Sequence, residues 1–328
     1  MATYKGIKGV KVQTKATDPT ASEAEGTVWY NSTGGALKYA IQGAGAWAAG
    51  ADINTGKLNC VGFGVSQNAA LKTVGEGGSP SGVTNKTELY NGTSWTEVAD
   101  GSQSVQSGAG FGTTAAGINV SGDPPNVVTQ TWDGTSWSDV NNCNTQVSQA
   151  AGLGISTAGM KAGGGSSINA SETWDGTSWT EGANINQARY QCMGAGTTVA
   201  GVIGGGAQPP NTNYALTEEW NGSSWSEVNN MNTGRAGFGC ATSGTQTDWL
   251  AFGGGPDTPA YTAKTESYDG TSWTELASLA TAMANGTSAG VSNSALSATG
   301  RGPGNIPFGV GTEEWSDPVY VVKTVTVS

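Results

Sequence analysis

The sequence predicts an all-β protein whose larger part is a β-propeller of six four-stranded blades. Three observations carry this. A box of the form "TWDGTSWT" (Thr173–Thr180) recurs five times, and its second tryptophan falls at Trp95, Trp137, Trp179, Trp225 and Trp273, at intervals of 42, 42, 46 and 48 residues. Glycine clusters precede most of the boxes: Gly77-Gly78, Gly163–Gly165, Gly204–Gly206 and Gly253–Gly255, with only Gly122 in the second unit. Finally, glycine makes up 53 of 328 residues and charged residues only 12%, against usual shares of ~7% and ~25%. A period of ~40–50 residues holding four short strands and a glycine signal is the mark of a propeller blade.

Each unit divides in the same way. In the fifth, turn residues separate "RAGFGCATSG" (Arg235–Gly244), "DWLAFGGG" (Asp248–Gly255), "AKTESYDG" (Ala263–Gly270) and "SWTEL" (Ser272–Leu276). Five residues before each second tryptophan stands another aromatic: Tyr90, Trp132, Trp174, Trp220 and Tyr268. Two residues before that come Glu88, Gln130, Glu172, Glu218 and Glu266, expected to accept hydrogen bonds from a neighbouring blade. Asp-Gly or Asn-Gly between the two aromatics supplies the φ > 0 conformations of a tight hairpin turn. The Asp or Asn side chain can also accept the following N–H groups as in an Asx-turn. The box therefore reads as a hairpin corner, with its aromatics packed across adjacent blades.

The end units predict how the ring shuts. "GTEEWSDP" (Gly311–Pro318) puts Glu313 and Trp315 in register but has no second tryptophan. "WAAGADINTGK" (Trp47–Lys57) matches "WTEGANINQAR" (Trp179–Arg189) position by position. Trp47 is then an orphan fourth strand and Trp315 an orphan third. Joining them completes six blades, closed by pairing N-terminal and C-terminal strands, because an open arc would leave unpaired edges. The alternative is a seventh blade built from residues 27–50 and the C-terminal strand. The expected domains are an N-terminal attachment segment with a β-hairpin (1–45), the propeller (46–317) and a C-terminal β-strand (318–328).

Charge and residue inventory narrow the chemistry. A net charge of −11 with three arginines argues against nucleic acid, whose phosphates need clustered Lys and Arg. No stretch approaches the ~18 apolar residues of a membrane span, and the opening "MATYKGIKGVKVQTK" has no continuous apolar core of a signal peptide. Histidine is absent, which removes His-based triads and His metal ligands. Cys60, Cys143, Cys192 and Cys240 show no CxxC spacing and read as small buried strand residues. No catalytic, cofactor or metal residue is expected, and no cofactor.

Three resemblances follow from these residues. The repeats over 54–316 resemble the kelch repeat, with a shorter gap between the aromatics and no diglycine in the second unit. "TWDGTSW" also resembles the Asp box of sialidases, where such boxes are hairpin corners away from the catalytic centre. The run "DPTASEAEGTVWYNSTGGALKY" (Asp18–Tyr39) is similar to N-terminal segments of bacteriophage virion proteins, especially tail-fibre and appendage proteins. The box with its trailing Asn-x-x-Arg is similar to glycine-rich repeats of the same kind of protein.

That resemblance implies a non-enzymatic structural protein of a phage particle, in several copies, assembled in the host cytoplasm. It would bind other virion proteins through residues 1–50 and the C-terminal strand, and host-surface glycan through its loops. A head fibre or capsid decoration is the alternative location; a free carbohydrate-binding or glycan-hydrolysing propeller is the alternative class. Loops between the second and third strands vary most, and variable loops on a rigid scaffold are where binding resides. The candidate binding residues there are Asn211, Asn213 and Tyr214 in one loop, and Asp257 and Tyr261 in the next.

Overall fold

The computed structural model describes residues 12–19, 27–42, 45–77, 82–124, 126–165, 168–210, 212–255, 261–303, 306–317 and 320–325. Among them the regular structure is β throughout, with no helix. The chain forms two compact units, Met1–Gly45 with Asp317–Ser328, and Ala46–Ser316.

Among the described residues, the larger unit contains six four-stranded antiparallel sheets. The first holds Val61–Ser66, Ala69–Thr73, Thr87–Tyr90 and Trp95–Glu97; the second Ala109–Thr113, Ala116–Gly122, Asn126–Trp132 and Trp137–Val140. The third holds Ala151–Ile155, Ala158–Ala162, Ser171–Trp174 and Trp179–Glu181; the fourth Met193–Gly196, Gly201–Gly204, Thr217–Trp220 and Trp225–Val228. Gly239–Cys240, Trp249–Phe252, Thr265–Tyr268 and Trp273–Leu276 make the fifth. The sixth takes Thr287–Val291, Ser294–Gly302 and Ile306–Ser316 from late in the chain and Ala46–Ala49 from much earlier. Its register sets Trp315 opposite Trp47, just as Trp132 faces Trp137 and Trp174 faces Trp179. The two orphan tryptophans thus form the pair that every other sheet makes locally. The innermost strand of each sheet lies beside that of the next, and Thr287–Val291 lies beside Val61–Ser66.

The core sits between successive sheets. Trp174 and Trp179 pack on Phe111 and Ile118 of the preceding sheet, and Trp220 and Trp225 pack on Leu153 and Met160. Tyr90 and Trp95 of the first sheet pack on Leu296 and Ala298 of the sixth. Small residues make room for these rings: a Cβ on Gly159 would lie 2.0 Å from the Phe111 ring. The indole N–H of the second tryptophan then couples one sheet to the one before. Trp137 donates to Thr87 (3.0 Å), Trp179 to Thr129 (2.9 Å), Trp273 to Thr217 (3.1 Å), Trp47 to Thr265 (2.9 Å) and Trp95 to Thr312 (3.1 Å). Trp225 is the exception. Its N–H is buried without a partner, because Ser171 occupies the threonine position and donates instead to the carbonyl of Ala183 (2.8 Å).

The box is a hairpin corner in all five copies. Asp175 Oδ1 accepts from the N–H groups of Thr177 (2.8 Å) and Ser178 (2.7 Å), and Asn91 does the same with Thr93 and Ser94 (both 2.9 Å). The box glycines have φ between +86° and +95°, a region open to glycine.

The described strands of the smaller unit form one sheet. Val28–Asn31 and Ala36–Gln42 form the expected hairpin. Tyr320–Thr324 adds to one side antiparallel, and Gln13–Lys15 to the other in parallel. Asp18 ties it together, accepting from Trp29 Nε1 (3.2 Å) and Asn31 Nδ2 (2.7 Å) and pairing with Lys38 Nζ (2.6 Å).

Candidate functional site

Antiparallel order places two kinds of connection at the same end of the larger unit: those from second to third strand, and those from one sheet to the next. The site is built there, from the backbone outward. Two residues ahead of each innermost strand stand Asn59, Ser107, Gln149, Gln191, Gly237 and Asn285. All six have left-handed backbones, with φ from +53° to +62°. Their amides form a cycle. Ser107 N–H donates to the carbonyl of Asn59 (2.7 Å), Gln149 to Ser107 (2.7 Å), Gln191 to Gln149 (2.8 Å) and Gly237 to Gln191 (3.1 Å). Asn285 then donates to Gly237 (2.7 Å) and Asn59 to Asn285 (2.7 Å), returning to the start.

This cycle explains the glycine signal. Gly75, Gly122, Gly164, Gly206, Gly254 and Gly300 recur in the last part of the second strands or just after them, with φ from +87° to +132°. A Cβ on any of them would lie within 3.0 Å of the carbonyl that precedes a cycle residue: Leu58, Gln106, Ser148, Tyr190, Ala236 or Ala284. The repeat thus requires a single glycine. In the first unit it is Gly75, and not the Gly77-Gly78 pair that the sequence suggests; in the second it is Gly122 itself. The residue before it is also left-handed, glycine in three sheets but Val74, Ser121 and Thr299 in the others (φ +54° to +60°).

The cycle surrounds a cavity of about 90 Å³, lined by Asn59, Ser107, Gln149, Gln191 and Asn285 and by the Cys60 thiol. The polar part of the lining is neutral amide and hydroxyl, set among glycine and apolar side chains such as Val61, Met193 and Phe238. Asn59 Nδ2 donates to Glu76 Oε1 (2.8 Å), and Gln191 Nε2 reaches Asn285 Oδ1 (3.4 Å). Burial pushes the Cys60 thiol up to about 11, and raises that of Cys192, which also lines the cavity. Such a surface can donate and accept hydrogen bonds toward hydroxyl or amide groups of a ligand. All four cysteines are free thiols; Cys240 lies within a strand, while Cys60 and Cys192 immediately precede strands and Cys143 is in a loop. Among the described residues, no cluster of three or more Cys, Asp or Glu is placed to hold a metal.

Of the binding residues expected from sequence, Asn213 and Tyr214 lie together at this end. Thr212–Asn213 pairs with Ala207–Gln208 in a short ladder. The half-buried Tyr214 donates its hydroxyl to Gln208 Oε1 and its N–H to the carbonyl of Gly206 (2.8 Å). Asn213 is half-buried too, and its Nδ2 is enclosed without a partner. Tyr261 is half-buried in the adjacent loop, while Asn211 and Asp257 lie outside the described residues. Tyr214 is thus tied to its own loop through Gln208 and Gly206.

The repeat-locked acids form the other polar layer. Glu172 accepts the N–H groups of Asn144 and Thr145 (both 2.8 Å) and pairs with Lys161 Nζ (2.7 Å). Glu218 pairs with Arg189 (2.8 Å), Glu266 with Arg235, and Glu88 with Lys72 (3.6 Å), all buried. Burial pulls the Arg235 guanidinium below its ordinary value. In the second sheet both members are neutral, with Asn119 opposite Gln130. These acids are structural counter-ions, as their periodicity suggests.

No protein-family model matches the chain, and no curated protein matches it.

Proposed function

We propose that residues 46–317 form a six-bladed kelch-like propeller, closed by the pairing of Ala46–Ala49 with Ile306–Ser316, and that it serves as a structural and recognition domain of a phage particle. The observation that carries the architecture is the six-membered cycle of backbone hydrogen bonds, one member per sheet, returning to Asn59. A rigid ring presenting neutral amides and loops of differing length at one end suits adhesion to a polyhydroxylated surface. The buried, charge-balanced acids are committed to holding sheets together, which favours a binding role over hydrolysis by paired carboxylates.

The attachment role rests on the likeness of Asp18–Tyr39 to phage appendage segments. Asp18, Trp29, Asn31 and Lys38 of that run form one hydrogen-bonded knot, so these four residues serve one structural purpose. In this reading the segment mounts the protein on the virion, in several copies, on a tail fibre or appendage. The experiment is antibody labelling of purified particles viewed by negative-stain microscopy. Label on tails supports the reading, label on capsids moves it to a head fibre or decoration protein, and unlabelled particles overturn it. Glycan-array binding that is lost on deleting residues 208–216 and 256–263 supports receptor recognition; turnover of a polysaccharide by the purified protein overturns the non-enzymatic role.

A further inference from the structure

The sixth sheet breaks the charge rule of the other five, and a cavity lies at the break. Glu313 is in register with Glu88, Glu172, Glu218 and Glu266 and, like Glu172, accepts two backbone N–H groups, from Ala280 (2.7 Å) and Thr281 (2.9 Å). Its solvent exposure is 7%. Elsewhere the cation comes from one of two places. In the first and third sheets it is the residue opposite on the second strand, Lys72 or Lys161; opposite Glu313 stands Ser297. In the fourth and fifth it is an arginine ten residues after a box tryptophan, Arg189 or Arg235. That place is taken by Met283, whose carbonyl accepts from Gly254 N–H (2.7 Å) just as those of Arg189 and Arg235 accept from Gly164 and Gly206 (both 2.8 Å). No cation pairs with Glu313 among the described residues.

Beside it lies a cavity of about 360 Å³, lined by Glu313, Asp52, Trp47, Met283 and Gly309 among others. That volume is within the range of small-molecule sites, ~300–1,000 Å³. A buried carboxylate is costly without a counter-charge, and two acids with an indole and a thioether suit a cation on an apolar stem.

We propose that this cavity binds a small organic cation, a primary ammonium or guanidinium with a short alkyl stem, whose charge takes the place of the missing repeat cation at Glu313. The source is either a free amine or the side chain of a partner's Lys or Arg. The inference is independent of the virion reading.

The test is isothermal titration of the purified protein with ethylguanidinium or n-butylammonium, at ionic strength fixed with sodium chloride. Saturable binding is expected, weakened at least tenfold by Glu313→Gln and unchanged by Glu97→Gln on the exposed surface. Met283→Arg places a tethered guanidinium at the Arg235-equivalent position; it should raise Tm and abolish binding. Because that variant gains an interaction, it keeps the proposal testable if Glu313→Gln fails to fold. Absence of saturable heat for both compounds, or equal binding by wild type and Met283→Arg, overturns the proposal. Competition by an Arg-containing peptide but not by its free-amine analogue assigns the site to a partner side chain; the reverse assigns it to a free amine.

Discussion

Trp47 Nε1 donates to Thr265 Oγ1 across 2.9 Å, joining residues 218 positions apart. This is the same inter-sheet contact that Trp137 makes with Thr87 and Trp179 with Thr129. It shows that the Ala46–Ala49 strand is a full member of the sixth sheet, coupled to the fifth as any outer strand is coupled to its neighbour. A buried indole N–H without such a partner costs ~1–3 kcal/mol. Trp225 is in that position because Ser171 turns to Ala183, into space left by Gly182, whose Cβ would lie 2.8 Å from Ser171 Oγ. Ser171→Thr restores the threonine of the other five sheets, and Gly182→Val the valine of the first, second and fourth (Val98, Val140 and Val228). Together the two substitutions should stabilise the larger unit by ~1 kcal/mol and raise Tm by about 2–4 °C. Calorimetry showing an unchanged or lower Tm would refute the coupling role of this threonine.

The left-handed cycle predicts that backbone matters more than side chain at Gln149. An L-residue in this conformation costs about 1–2 kcal/mol, while glycine loses more entropy on folding, about 0.4–1 kcal/mol. Gln149→Gly should thus be close to neutral in denaturant unfolding, as the natural Gly237 suggests. Gln149→Pro removes the N–H that reaches Ser107 and forces φ to about −65°, and should cost ~3 kcal/mol or more. Equal effects of the two substitutions would contradict a backbone role.

The tryptophan register was legible because each box performs the same job with the same residue types, so sheet membership and the Trp47–Trp315 partnership follow from alignment. The cycle was not. Asn, Ser, Gln, Gln, Gly and Asn share no side-chain chemistry, and what they share is a backbone conformation two residues ahead of a strand. The glycine signal was misread in the first unit for a related reason. Gly77-Gly78 looks like a diglycine, yet the position that must avoid a Cβ against Leu58 is Gly75. The missing cation at Glu313 was invisible to sequence because it takes two departures from the repeat, Ser297 and Met283, in segments that only the fold brings together.

The box corners predict a modest acid sensitivity. Hydrogen bonds from the Thr135 hydroxyl, then from the Ser136 and Thr135 N–H groups, hold the Asp133 carboxyl down at about 2. Asp175 and Asp269 are lowered by the N–H groups of their own turns. An acid whose folded value is depressed adds stability that is present above its unfolded value, about 3.9, and is lost as pH falls through the folded one. Stability should therefore decline below about pH 4. Asn91 and Asn221 make the same turns without a titrating group, so Asp133→Asn with Asp175→Asn and Asp269→Asn should flatten the decline while keeping the fold. A pH-stability curve of unaltered slope between pH 4 and 2 would locate the acid sensitivity elsewhere.

The buried pairs predict strong non-additivity between Arg235 and Glu266. Both side chains are fully enclosed, and Arg235 also donates to the carbonyls of Lys264 (2.8 Å) and Gly253 (3.1 Å). Arg235→Met leaves a buried carboxylate without its cation, at a cost of ~3–5 kcal/mol. Adding Glu266→Gln removes the stranded charge, and the neutral Asn119–Gln130 pair of the second sheet shows that the layer accepts an uncharged version. The double variant should regain more than half of the loss, leaving a deficit set by the backbone carbonyls of Lys264, Gly253 and Thr233 that Arg235 no longer satisfies. Urea unfolding of the wild type, both single variants and the double variant measures this directly. A coupling energy below about 0.5 kcal/mol would mean that the two residues act independently, and that charge balance within each sheet is not what holds the repeat to its pattern.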